Sequence, residues 1–297
     1  MYVLPVPNTI KTLSRKILPR RLWGFLKEMQ RDIAFNGRGP FSFDEAAIRR
    51  QINLQENIVP FYVDIGAQDG VLGSQTLGLA KSGWAGVAYE ADRELYQGMK
   101  TRYKSLPDVT VNCELVVPEK IIKILQRDGV PKEFGFLNLD IDSFDFDILD
   151  SLLTSFRPRV ICVEINEMIP PPINFRVVYR PDLGWAGDNF QGFSIQAAKD
   201  ICNRHCYRIG ELHYNNLLLY ASPMDSPPVT DSVIEHAYRL GYVERLDRDR
   251  LFPWNVAYNW LAEATPQEML SELQLLFADR LEDCELFIGQ AEHGGIH

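Results

Sequence analysis

The sequence predicts an α/β protein built on a doubly wound, mostly parallel sheet with an antiparallel closing strand. Three observations predict it: strand-like and helix-like runs alternate from residue 61 to 166, a glycine pair follows the first apolar run, and acids stand where later apolar runs stop. In order, "FYVDIG" reads as a strand, "SQTLGLAKSG" as a helix and "AGVAYEA" as a strand. "ELYQGMKTRYKSL", "VTVNCELV", "PEKIIKILQRDGV" and "FGFLNLDID" continue the alternation, followed by "FDFDILDSLLTSF" and "RVICVEIN". The unbroken apolar character of "FGFLNL" and "RVICV" suits strands buried on both faces. After Asn166 the rhythm changes to a long proline-containing connection rich in aromatics, with the composition of a lid or binding loop. "SIQAAKDICNRHCYRIGEL" and "YNNLLLYAS" then read as a helix and the closing strand.

Three segments are expected: a basic N-terminal helical extension over 1–58, a ligand-binding domain over 59–222, and an acidic C-terminal helical extension over 223–297. The first 60 residues carry about five more basic than acidic groups, and the part beyond 222 about nine more acidic than basic. The N-terminal stretch, with Ile10, Leu13, Ile17, Leu22 and Leu26 among Arg and Lys, reads first as a helix packed on the domain with its basic face in water, and second as a candidate for peripheral membrane or acidic-partner contact. A net charge of -9 argues against nucleic-acid binding, which needs a basic surface. No run approaches a membrane span and no signal-peptide pattern is present, so a cytoplasmic protein is the expectation. Five cysteines without CxxC spacing fit reduced thiols; "CNRHC" at 202–206 lacks the second cluster a tetrahedral zinc site requires.

In open α/β sheets, ligands bind outside the carboxyl ends of the strands. Asp64, Gly66, Ala67, Asp69 and Gly70 close the first predicted strand, and Ser74 stands where the next helix can begin. Glu90 ends the second strand, where an acid can meet ribose hydroxyls, and Glu114 follows the third, near a potential adenine edge. The glycines are spaced G-x-x-x-G with Asp69 inside the turn. An acid there disfavours a pyrophosphate and suits a ligand carrying a sulfonium cation, so S-adenosylmethionine is preferred over a dinucleotide.

"DIGAQDGVLGSQTLGLAKSGWAGVAYEAD", "VPKEFGFLNLDIDSFDFDILDSL", "PRVICVEINEMIPPP" and "NFQGFSIQAAKDICNRHCYRIGELHYNNLLLYAS" resemble, in order, signature blocks of the FkbM-like methyltransferases. The resemblance spans roughly residues 60–222. It implies a class I methyltransferase fold, S-adenosylmethionine as methyl donor, and O-methylation of a sugar, glycan, lipid or secondary metabolite. The chain departs from the family pattern at Ser143 and Phe144, which follow Asp140 and Asp142 where a Gly-Asn pair is usual, and at Ala91 and Asp92, which follow Glu90 in place of a proline.

Methyl transfer to a hydroxyl needs the acceptor oxygen held in line and relieved of its proton. Asp140, Asp142 and Glu164, predicted at adjacent strand ends, are the candidate ligands of a divalent metal such as Mg²⁺, and Asp140 also the candidate donor-side residue. Asp145 and Asp147 fit the first turn of the next helix. His213, the residue type that exchanges protons near neutral pH, is the candidate general base, with Asp140 and Asp142 as further catalytic candidates. Asn216 either orients the acceptor or pairs within the sheet. Tyr179, Trp185, Asp188, Asn189 and Phe190 are the lid candidates. Two other readings remain open from the residues alone: a metal-dependent nucleotide-sugar glycosyltransferase using the D-x-D of "LNLDID", and a non-catalytic binding protein on the same fold.

Overall fold

A computed structural model describes residues 48, 50–53, 58–71, 74–183 and 186–289. The basic N-terminal stretch and Trp185 lie outside the described residues. Seven strands form the main sheet: β1 Phe61–Ile65, β2 Ala85–Glu90, β3 Val109–Cys113, β4 Glu133–Leu139, β5 Arg157–Glu164, β7 Tyr207–His213 and β8 Asn216–Ala221. Their order is β3-β2-β1-β4-β5-β8-β7. The first five run parallel, and β8 lies antiparallel to both β5 and β7. This is a doubly wound, Rossmann-like α/β fold, mostly parallel with an antiparallel closing strand, as the sequence predicts. Strand order reverses at β1, which pairs β2 on one side and β4 on the other, so the switch point falls at the carboxyl ends of β1 and β4.

The helices are α1 Leu77–Lys81, α2 Arg93–Arg102, α3 Ile121–Arg127, α4 Asp145–Leu153, α5 Ile195–His205, α6 Asp231–Tyr238 and α7 Pro266–Leu276. Alternation along β1 and β4 sends Val63, Ile65, Leu137 and Leu139 into the larger core with α3, α4 and α5, and Tyr62 and Phe136 into a second cluster with Leu79 of α1. Asp92 caps α2 by accepting from Glu94 N and Leu95 N, and Ser194 caps α5 by accepting from Ala197 N. α5 stops at Cys206, whose φ of 58° reverses the chain, so "YRIGEL" is a strand of its own and not a continuation of the helix.

The C-terminal part differs from a helical appendage. Val229, Ile234, Tyr238, Tyr242, Leu251 and Phe252 belong to the main core. The aromatic connection is not wholly irregular either: β6 Ile173–Val177 pairs antiparallel with β9 Cys284–Ile288. Met269, Leu273 and Phe277 pack on Ile173 and Phe175 in a third cluster. Among the described residues no helix is long and apolar enough to cross a membrane.

Ile234 is fully buried in the main core although it lies beyond the sheet in sequence. Ile234→Ala should therefore lower global stability by about 2–5 kcal/mol, the range for truncating a buried aliphatic side chain. Urea unfolding followed by fluorescence should show one shifted transition; an early, separate loss of the C-terminal part with the sheet unaffected would contradict a shared core.

Candidate active site

The corner after β1 closes onto the end of β4. Gly66 has φ +84°, and a Cβ there would lie 1.8 Å from the Asp140 carbonyl oxygen, so no side chain fits. Gly66 N and Ala67 N both donate to Tyr89 O at 3.0 Å. Gln68 N donates to Glu90 Oε2 at 2.8 Å, and Asp92 N donates to the other Glu90 oxygen at 2.7 Å. The glycine corner and the second-strand acid therefore face one another. Burial pushes the Glu90 carboxyl above its ordinary pKa, against the lowering effect of those amides. Gly70, with φ +76°, lies against Tyr103 and Met99, and the Tyr103 hydroxyl donates to Gly70 O at 2.9 Å. Ala67 is buried in the same small cluster.

Several sequence candidates support this corner from beneath or behind. Asp64 is buried, with one oxygen accepting from the Thr76 hydroxyl at 2.6 Å and the other from Asn138 Nδ2 at 2.9 Å. It ties β1, β4 and the approach to α1 together. Ser74 Oγ accepts from Leu77 N at 3.0 Å and so fixes the start of α1. Asp69 accepts from Val71 N at 2.9 Å and forms an ion pair with Arg102 at 3.2 Å. Its charge is answered by that guanidinium, which removes the electrostatic basis for assigning Asp69 to a sulfonium. Glu114 forms a two-pronged pair with Arg127, at 2.7 and 3.2 Å, while its N–H donates to Glu90 O at the strand edge.

The acid cluster forms as the strand ends dictate. Leu139 and Val163 are register partners on β4 and β5, so Asp140 and Glu164 are the next step on adjacent strands. Asp142, at φ +56°, turns the chain back. Carboxylate oxygens of Asp140, Asp142 and Glu164 all lie within 4.8 Å of one another. Burial, then the charges of Asp140 and Asp142, hold the Glu164 carboxyl well above its usual pKa. The loop is braced by Asp145, which accepts from Ile141 N at 2.9 Å and Ser143 N at 3.0 Å. Burial pushes Asp145 up to about 7 despite those bonds. It is more than the helix-start acid that position alone predicts. Asp147 accepts from Tyr179 N at 2.7 Å and so anchors the following connection.

Asn215, unremarked in the sequence, donates its amide to Glu164 Oε1. Its only signal is the "YNN" turn, because the partner lies 51 residues earlier. Asn216 accepts from Cys162 Sγ at 3.6 Å and donates to Asn215 Oδ1 at 3.3 Å, so it pairs within the sheet. His213 ends β7 opposite Asn216, which is itself opposite Glu164. The three share a sheet face, but a strand separates His213 from the cluster, and His213 Nε2 lies 3.1 Å from Glu211. His205 bonds Asp150 at 2.7 Å between α5 and α4 and has a structural place.

The lid candidates are pinned. Asn166 Nδ2 donates to Asn189 O at 2.8 Å and Gln191 O at 3.1 Å, and Gly192 N donates to Ser143 O at 2.8 Å, which seats 189–192 against the acid loop. Phe190 packs on Phe175 and Phe277 and beneath the Arg280 guanidinium, which is 3.7 Å from Asp188. Tyr179 meets Phe144 edge-on at 4.7 Å.

No family model matches the chain, and no curated protein matches it. Solved structures with a similar fold include WbdD, at 13% identity over 63% of this chain and 43% of that one, with TM-score 0.40. A SAM-dependent methyltransferase from Aquifex aeolicus aligns at 14% identity over 69% and 98%, with TM-score 0.39. Magnesium protoporphyrin IX methyltransferase from Synechocystis PCC 6803, with bound SAM, aligns at 8% identity over 61% and 79%, with TM-score 0.39. The chain thus spans less than half the length of WbdD. Any functional reading stands on this chain's own residues.

Gly66→Ala must move the Asp140 carbonyl or open the corner, and is expected to cost more than about 2 kcal/mol, read by chemical denaturation. A wild-type midpoint in this variant would show that the corner tolerates a side chain. Asp145 adds a pH dependence whose sign follows from its raised folded-state pKa. Its stabilising contribution is complete below the unfolded value, about 4, and is lost as pH rises through about 7. Between about pH 5 and 7.5 the urea midpoint should fall less steeply in Asp145→Asn than in the wild type; parallel slopes would refute the assignment.

Proposed function

We propose that this chain transfers a methyl group from S-adenosylmethionine to a hydroxyl of a sugar, glycan, lipid or secondary-metabolite acceptor. The observation that carries the reading is the bond from Gln68 N to Glu90, because it joins the glycine corner and the second-strand acid on one edge of the switch point. When bound, the donor supplies an activated methyl group as its sulfonium. Glu90 is set to accept from ribose hydroxyls, and Gly66 and Gly70 let the corner close tightly against Asp140, Tyr103 and Met99 beneath it. With Asp69 paired to Arg102, the carboxylates that favour a cation are Asp140, Asp142 and Glu164.

Those three residues also fit a divalent metal. They present hard oxygen donors, and the crowding that raises Glu164 is the condition a cation relieves. Mg²⁺ there would supply Lewis acidity to the acceptor oxygen. Asn215 orients Glu164, Asp145 holds the 141–143 loop, and the segment 189–192 covers the acceptor side. His213, on the same face, is the proposed base.

Calorimetry on the full chain tests the donor first: S-adenosylmethionine and its demethylated product are expected to bind at sub-millimolar concentration, and Gly66→Arg to abolish both. Absence of binding to the wild type at about 1 mM, around the limit of weak specific binding, overturns the reading. In methylation assays across hydroxylated acceptors, Glu164→Gln should remove any stimulation by Mg²⁺ while donor binding persists. Stabilisation by a nucleotide-sugar with Mn²⁺, without response to S-adenosylmethionine, would instead identify a glycosyltransferase.

A further inference from the structure

Tyr214 stands where its residue type is out of place. It and Asn215 are the two residues between β7, which ends at His213, and β8, which begins at Asn216. The favoured two-residue hairpin turns give their first residue a positive φ, which suits glycine, asparagine or aspartate. Tyr214 adopts φ +60° there. A bulky side chain keeps that conformation only where its surroundings hold it.

The C-terminal segment holds it by backbone, hydroxyl and ring. Tyr214 N donates to Gly241 O at 3.0 Å, the Tyr214 hydroxyl donates to Asp247 Oδ1 at 2.8 Å, and Arg245 Nη2 donates to that hydroxyl at 2.9 Å. The ring packs on Phe252 with centroids 5.8 Å apart. Gly241 is itself pressed onto β7, because a Cβ there would lie 2.3 Å from Leu212 O.

The turn held in this way carries Asn215. Ile165 N donates to Asn215 O at 2.7 Å, one step beyond the Glu164–Asn216 pair of the β5–β8 ladder. Asn216 Nδ2 donates to Asn215 Oδ1 at 3.3 Å, and the Asn215 amide donates to Glu164 Oε1. Its neutrality matters. An arginine in that place would answer the Glu164 charge and compete with an incoming cation, as Arg102 answers Asp69. An amide fixes the carboxyl and leaves its charge for a metal.

We propose that Tyr214 and Asn215 are positioning residues for Glu164: the C-terminal segment, by clamping Tyr214, holds the Asn215 amide where it keeps the Glu164 carboxyl beside Asp140 and Asp142 for a divalent cation. This rests on the methyl-transfer reading with a metal at the three acids. Both residues act through Glu164 and not on the reacting atoms.

Calorimetry of the full chain with MnCl₂, without donor, reads metal affinity, and urea unfolding of the same samples reads stability. Asn215→Ala is expected to weaken Mn²⁺ binding by about tenfold or more, the usual effect of removing a group that orients a metal ligand. Tyr214→Phe, which keeps the ring and loses the hydroxyl, should weaken it in the same direction. Ile234→Ala, destabilised through the core, should bind Mn²⁺ as the wild type does. Three results overturn the proposal: the wild type binds no Mn²⁺ at up to about 10 mM, both turn variants bind as the wild type does, or Ile234→Ala loses as much affinity as they do. Should Asn215→Ala fail to fold, Asp247 decides. Asp247→Asn, which retains an acceptor for the Tyr214 hydroxyl, should keep the affinity that Asp247→Ala loses, and equal affinities in the two overturn the clamp. S-adenosylmethionine binding on the same samples separates the claims. Donor binding with Mn²⁺ affinity unmoved by the variants sinks this proposal alone, and the expected Mn²⁺ pattern without donor binding sinks methyl transfer alone.

Discussion

Everything at the carboxyl edge of the sheet depends on one steric contact, the approach of Gly66 to the Asp140 carbonyl. That carbonyl lies where a Cβ at residue 66 would be, so the corner after β1 and the end of β4 can share the switch point only when residue 66 is glycine. Backbone bonds then fix the contact from both sides: Asp140 N donates to Ile65 O and Gly66 N to Tyr89 O, each at 3.0 Å. Asp64 reinforces it from below through Thr76 and Asn138. The backbone position of Asp140, and through the shared register that of Glu164, follows from this closure.

The second constraint is supplied from far along the chain. Tyr214 heads the β7–β8 turn at φ +60°, a costly conformation for a bulky residue, and it is held by the C-terminal segment. Its N–H donates to Gly241 O at 3.0 Å, its hydroxyl donates to Asp247 at 2.8 Å, and Arg245 lies 4.5 Å over its ring. The turn so fixed presents Asn215 to Glu164. On the other flank, pairing of β9 with β6 and packing of Phe277 on Phe190 hold the segment that covers the acid loop. The C-terminal part is thus the outer wall of the site as well as a share of the core.

The features legible in the sequence are those set by local chemistry. Period-two and period-3.6 patterns gave the alternating elements, glycine gave the corner, and acids one step beyond β4 and at the last residue of β5 were brought together because parallel register is regular. What escaped reading depends on partners distant in sequence. β6 is an aromatic-flanked run amid prolines, and its pairing with β9, roughly 110 residues later, makes it a strand. Cys206 ends α5 in a left-handed turn without a glycine to announce it. Asp69 and Glu114 have the right positions for a ligand, yet each has an arginine partner on a neighbouring helix that no local pattern reveals.

The acid cluster itself is held by structure against electrostatics. Ionised together, three carboxylates within 4.8 Å would repel one another, and the raised Glu164 carboxyl, hydrogen-bonded to Asp140, relieves part of that repulsion. Two opposing arrangements keep them together: Asn215 gives Glu164 a donor, and Asp145, itself raised to about 7, holds the loop by accepting from two backbone amides. Asp145 adds a further carboxyl under an already negative loop, where a neutral cap would brace the same amides with less repulsion. A fold that surrounds a like-charged group with fixed backbone contacts stores a potential that a cation lowers on arrival. On the proposed function, that potential is what a positively charged donor or metal would lower.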